Sequence, residues 1–240
     1  MKLTKQEIQF IDSYLIKNEV KFWDVRLELL DHIVSAVEDK MTNEGISFNE
    51  ALLDVHRGFG NQFIEYGVSK NKIFEKGLYQ SNSGFKKFIR QKQKELGRKY
   101  RKIIWKHLKI KFSTFKFWLE YASVILLFII LYQFKPEACF GVGLLVLILP
   151  TIYSSYYSFK DKSTRKSLSF SMATSSAMAV WSLYNLSFYI LKNNYENVLS
   201  MPHSFFAIVA CVFYPMIRVN IEVYKKVYNE NKKTFDLKFL

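Results

Sequence analysis

The stretch ELLDHIVSAVE at 28–38 sets Glu28, Asp31 and His32 three and four residues apart, on one side of a helix. Two carboxylates and an imidazole so placed are groups that hold a metal ion or pass a proton. A second imidazole would have to come from elsewhere. The chain has four histidines, His32, His56, His107 and His203. Of these, His56 falls in the same polar region, so a metal site built from Glu28, His32 and His56 requires two helices to meet. The H-E-x-x-H run of zinc hydrolases does not occur, nor does G-x-S-x-G, a Walker A loop or a Rossmann glycine pattern. Gly141-Val142-Gly143 lies in an apolar run and is no phosphate loop. Cys139 and Cys211 also sit in apolar stretches, with neither metal spacing nor a disulfide framework. The reading adopted is therefore structural. Asp31 and His32 are expected to bond neighbouring helices and Arg26 or Arg57, fixing a helix crossing. No catalytic residue, metal or cofactor is expected, and the protein is expected not to be an enzyme.

The elements around this stretch are legible from caps and periodicity. Thr4 and Glu7 form a T-x-x-E capping box that opens a helix to about residue 18, with Ile8, Ile11 and Leu15 on one face. A second helix over 22–43 carries Leu30, Ile33, Val34, Val37 and Met41 at three- and four-residue steps, and Gly45 stops it. Ser47 and Glu50 repeat the capping box before a third helix with Ala51, Leu52 and Val55, which ends at Gly58-Phe59-Gly60. A fourth helix is expected over 61–77 with Phe63, Ile64 and Ile73 inward. Residues 1–80 thus form a small helical bundle with a modest core. Ser81 to Gly84 reads as a short flexible joint.

The run RLELLDHIVSAVEDKMTNEGISFNEALLDVHRGFG, 26–60, resembles the permease-prefix, or HAAS-type, helical module of bacterial membrane proteins. The features that carry it are Arg26, Glu28, Asp31-His32, Glu38, Gly45, the Ser47-x-x-Glu50-Ala51 helix start and Phe59-Gly60. The resemblance implies a cytosolic interaction or sensing module ahead of membrane-spanning helices, in proteins often encoded beside PadR-type regulators. Together with His56 from the reading above, Arg26, Glu28, Asp31, His32, Glu38, Phe59 and Gly60 are the structural and interaction candidates of the bundle. The resemblance covers none of the second half.

That second half is physically different. Half of the 240 residues are hydrophobic and 17% aromatic, and the net charge is +14. Residues 1–80 hold ten Lys/Arg against thirteen Asp/Glu, whereas 81–240 hold twenty-five against eight. A bilayer core of about 30 Å needs about 20 mostly apolar helical residues. Four segments meet this, at about 117–134, 138–159, 168–191 and 201–217, the last being the shortest. The flank 85–116 carries thirteen basic residues against one acid, and the loop 160–167 four against one, while the loops at 135–137 and 192–197 carry one Lys each. Basic flanks stay inside, which places both termini in the cytoplasm and the protein in the inner membrane. Trp118, Tyr132, Tyr156 and Tyr189 fall near span ends, as interfacial aromatic residues do. The third span is rich in small residues. Thr174, Ser175, Ser176 and Asn185 are expected at an interhelical contact or at the seam of a homo-oligomer. No charge lies at mid-membrane depth, which counts against an ion-coupled transporter.

The segment 81–116 interleaves lysines and arginines with Phe, Ile and Trp. A basic amphipathic helix that runs straight into a span is held at the membrane. Lys99, Arg101, Lys102, Trp105, Lys106 and Lys109 are therefore assigned to anionic inner-leaflet headgroups, at about 1 kcal/mol per basic residue, and no nucleic acid is expected. The tail 218–240 is expected to behave similarly. The fold class expected is all-α: cytosolic bundle 1–80, basic linker helix 81–116, four-helix transmembrane domain 117–217 and basic tail 218–240. The function expected is non-enzymatic signalling or regulation, the bundle docking a cytosolic protein. A small transporter, channel or permease-accessory subunit is the alternative.

Overall fold

The computed structural model describes residues 2–63, 79–175, 189 and 204–239. Their architecture is helical, apart from a short antiparallel pairing of Gln62–Phe63 with Tyr79–Ser81. The chain divides into two compact units, Met1–Glu95 with Lys166–Leu168, and Leu96–Arg165 with Ser169–Leu240.

In the first unit, α1 (Lys5–Lys17) and α3 (Phe48–Gly58) each begin at a complete capping box, Thr4 with Glu7 and Ser47 with Glu50. Helix α2 (Trp23–Glu44) ends at Gly45, whose φ of 67° is the left-handed conformation that glycine reaches without strain. The core comprises Ile11, Tyr14 and Leu15 of α1, Val25, Leu29, Ile33 and Val37 of α2, and Ala51, Leu52 and Val55 of α3. The buried stripe of α2 differs from the expected one by about one residue. Leu29 is enclosed, while Leu30 and Val34 are half-buried. The series 25, 29, 33, 37 recurs every four residues and beats the sequence pattern, which offered two overlapping apolar stripes. The helix expected over 61–77 starts differently, since Gln62 and Phe63 are paired as a strand, and from residue 64 it lies outside the described residues. Helix α4 (Ser83–Phe112) opens where a flexible joint was expected.

In the second unit, α5 (Phe115–Phe134) and α6 (Pro136–Lys160) follow α4, then a helical run over 168–175 (α7) and finally α8 (Ser204–Phe239). Among the described residues, three helices are long and apolar enough to cross a membrane: Phe115–Phe134, Pro136–Lys160 and, within α8, Ala207–Lys238. The expected third span lies outside the described residues beyond 175, except for residue 189. The expected fourth span does not stop at 217, because α8 is one continuous helix of 36 residues that takes in the tail as well.

Two apolar layers hold this unit together, and α8 belongs to both. In one, Phe128 of α5 and Cys139 and Leu147 of α6 pack with Ala207, Ala210 and Ile217. In the other, Tyr100 and Ile104 of α4 and Phe170 and Ala173 of α7 surround Val219, Val223, Tyr224 and Val227. The tail residues expected on a lipid surface are thus core. Outward, α5 and α6 present Leu126, Leu127, Ile130, Leu145 and Leu149. An apolar surface of this kind suits a helix whose surroundings are hydrocarbon.

Candidate functional site

The most concentrated polar chemistry of the first unit surrounds His56, on the third turn of α3 and 1% exposed. Its Nδ1 is hydrogen-bonded to the Tyr14 hydroxyl, which α1 brings from 42 residues away. Phe85, fully buried at the start of α4, stands edge-on to both rings, 5.8 Å from His56 and 6.1 Å from Tyr14. Phe59 adds a fourth ring 5.3 Å from Phe85. Burial removes water from the imidazole and, with Arg57 adding like-charge repulsion, pushes its pKa down to about 4. The ring is therefore neutral at pH 7.

Beside the rings, the first turn of α4 is held against the end of α3. The buried Asn61 side-chain oxygen accepts from Gly84 N at 3.0 Å and Phe85 N at 3.4 Å, meeting two of the four amides that a helix start leaves open. The Ser83 hydroxyl donates to Gly60 O, and the Asn82 amide donates to Asn18 O and Glu19. The segment read as a joint is a clamp. Glycine at 84 is required by proximity, since a Cβ there would overlap the Phe59 carbonyl oxygen and lie 2.6 Å from its carbon.

The sequence candidates of the bundle are dispersed around this node. Arg26 pairs with Asp12 at 2.8 Å, Glu28 with Lys92 at 2.5 Å, and Glu38 accepts from Leu3 N at 2.8 Å. Asp31 and His32 are exposed, so the helix contact expected of them is made by these other pairs. His32 and His56 do not come together. Among the described residues no group of three or more His, Cys, Asp or Glu is placed to hold a metal. Asp24, which sequence reading passed over, binds the first unit's own piece of the distant loop. Its carboxylate accepts from Leu168 N at 2.9 Å and from the Ser167 hydroxyl at 3.2 Å, and Trp23 N donates to Lys166 O. An acid within a basic loop's reach was the available signal, but nothing in the spacing marks it.

In the second unit, a charged network joins three helices. Glu120 of α5 accepts from the Tyr214 hydroxyl at 2.6 Å and from Arg218 Nε at 2.9 Å. Arg218 reaches Glu222 at 3.1 Å, and Lys111 at the end of α4 reaches the same oxygen at 2.8 Å. Tyr214, Arg218 and Glu222 are four residues apart and so share one stripe of α8. The charges alternate, which lets each offset its neighbour's desolvation. Next to this network Pro215 cannot donate to the carbonyl of Cys211, four residues back. The Tyr121 hydroxyl donates to that carbonyl instead, at 3.1 Å. A Tyr121→Phe substitution is expected to cost about 1–2 kcal/mol by orphaning the carbonyl. In a Pro215→Ala background the helix supplies its own donor, and the cost should disappear. Thermal unfolding of the four proteins in detergent closes this cycle.

The membrane-surface candidates Lys99, Arg101, Lys102, Trp105, Lys106 and Lys109 are all exposed, while Tyr100 and Ile104 on the same helix are buried. Thr174 and Ser175 direct their hydroxyls to carbonyls three residues back in α7. The interhelical bond comes from the Thr174 carbonyl, which accepts from the Tyr224 hydroxyl at 3.4 Å. Ser176 and Asn185 lie outside the described residues. The chain matches no family model, no curated protein and no solved structure. The likeness of 26–60 to the permease-prefix module therefore rests on its residues alone.

Proposed function

We propose that this chain is a non-enzymatic, multi-pass protein of the inner membrane, with four spans and both termini in the cytoplasm, whose N-terminal bundle docks a cytosolic protein. The observation that carries this reading is the outer stripe of α2. Asp31, Ser35, Asp39 and Thr42 are exposed at helical spacing, on the side away from Leu29, Ile33 and Val37. The bundle closes its core without this stripe, which leaves an acidic rod for a basic surface to meet. Support also comes from the module resemblance and from the sign change between the −3 of residues 1–80 and the basic remainder.

The test is affinity capture from detergent extracts with the full chain, with residues 1–80 deleted, and with Asp31→Lys plus Asp39→Lys. A partner should be lost with the deletion and fall about tenfold with the charge reversal. Survival of every partner in both variants would overturn the reading. Topology is tested separately with single cysteines in a chain lacking Cys139 and Cys211. A cysteine at Glu137 should react with an impermeant maleimide on intact cells, and one at Lys162 only after permeabilisation. The reverse pattern sinks the assigned orientation.

A further inference from the structure

A cleft of about 400 Å³ opens between α5 and α8, with the buried thiol of Cys139 at its floor. Ile125, Phe128, Ile129 and Tyr132 line it from α5. Ala207, Ile208, Cys211 and Val212 line it from α8. Both sets follow the same three- and four-residue steps, so each helix gives the cleft one straight stripe. The helices run antiparallel here, since Glu120 meets Tyr214 and Tyr121 meets Cys211 while the cleft ends at Gln133 and Ser204. Those two residues put side-chain polar groups at one end of a groove whose remaining walls are largely apolar.

We infer that the cleft is a binding groove for a single lipid acyl chain, with the lipid's polar head at the Gln133–Ser204 end. Three observations fix the class of ligand. The groove lies on helices long and apolar enough to cross a membrane, and its rims are open, with Ile129 52%, Ile208 59% and Val212 64% exposed. Its stripes extend eight residues, about 12 Å at 1.5 Å per residue, close to the half-thickness of a bilayer core of about 30 Å. Walls made almost wholly of aliphatic and aromatic side chains, open along the rims over that length, suit an extended hydrocarbon chain. Ala207 and Cys211 make the groove possible, because larger residues at their positions on the α8 stripe would fill it.

The experiment is native mass spectrometry of the full chain in mild detergent with added dioleoyl phosphatidylglycerol. Wild type should retain one lipid per chain. Val212→Trp, which fills the mouth from an exposed position, should lower retention at least tenfold. Leu126→Trp, equally exposed on α5 but outside the cleft, should leave it unchanged. Equal retention in all three overturns the inference. So does a dimer in wild type that Val212→Trp dissolves, since the occupant would then be a second copy. Maleimide labelling of Cys211 gives an independent reading with the mouth of the groove unaltered: in a Cys139→Ser chain it should slow at least fivefold when lipid is added, and an unchanged rate counts against the groove.

Discussion

Gly84→Ala should destabilise the bundle by about 3 kcal/mol, although the same change at Gly97, thirteen residues along the same helix, should be neutral or stabilising by up to about 1 kcal/mol. Alanine is the better helix former, so propensity alone predicts a gain at both positions. The surroundings reverse one of them. At Gly84 the added methyl would enter the Phe59 carbonyl, which is backbone and cannot rotate aside. The first turn of α4 must then lift from Asn61, and the two amides that Asn61 holds lose their acceptor. At Gly97 the nearest atom is the terminal methyl of Met172, 3.4 Å away on a flexible side chain. Hydrogen exchange of α1–α3 peptides in the full-length protein is the measurement. Faster exchange in Gly84→Ala and unchanged exchange in Gly97→Ala are expected. Unchanged exchange in both would mean that the clamp contributes nothing.

Acid should loosen the same bundle at a pH where carboxylates remain ionised. Burial lowers the His56 pKa to about 4, against about 6.5 in the unfolded chain. Above pH 6.5 neither state binds the proton and the group is silent. As pH falls below 6.5 the unfolded state takes up a proton that the folded state refuses, so stability is lost between about 6.5 and 4, and no further below that. The loss reaches about 2 kcal/mol at pH 5 and on the order of 3 kcal/mol at the lower limit. His56→Gln should flatten the profile across this window, whatever it does to stability at pH 7. Tyr14→Phe should lower stability at pH 7 by about 1–3 kcal/mol through loss of the bond to Nδ1, and leave the window in place. A wild-type exchange profile equal at pH 7 and pH 5 would refute the linkage.

What the sequence made legible is local. Both capping boxes, the Gly45 stop and the Ala51, Leu52, Val55 face are decided within a few residues, where cap chemistry and periodicity act. The apolar runs of α5 and α6 are equally plain, because span length is a property of a single segment. What was hidden is long-range. Asp31-His32 looked like the polar contact because its spacing suggested one, yet Asp31 follows Leu29 by two residues, about 200° around the helix, and so stands on the opposite side of α2 from the core. The Tyr14–His56 bond crosses 42 residues, the Asp24–Leu168 bond 144, and Glu120–Arg218 98. No motif announces such pairs. The α8 tail misled for a related reason: lysines beside Val223, Tyr224 and Val227 suit a helix lying on lipid as well as one packed in a core, and only the presence of α4 and α7 decides between them.

The length of α8 has a mechanical consequence. Thirty-six residues extend about 54 Å, nearly twice the hydrocarbon thickness of a bilayer, so a large part of this one rod must stand outside the apolar slab. Pro215 breaks its hydrogen-bond ladder partway along, at the point where Tyr121 substitutes for the missing donor. From there to Phe239 the arm is about 36 Å long, and a tilt of about 10° at the proline would sweep its far end through about 6 Å. Tyr100 and Ile104 of α4 are packed on that arm and would move with it. A shift of α8 ahead of Pro215 that tilted the arm by this amount would thus be enlarged, through one proline, into a displacement of the size of a helix turn at its outer end.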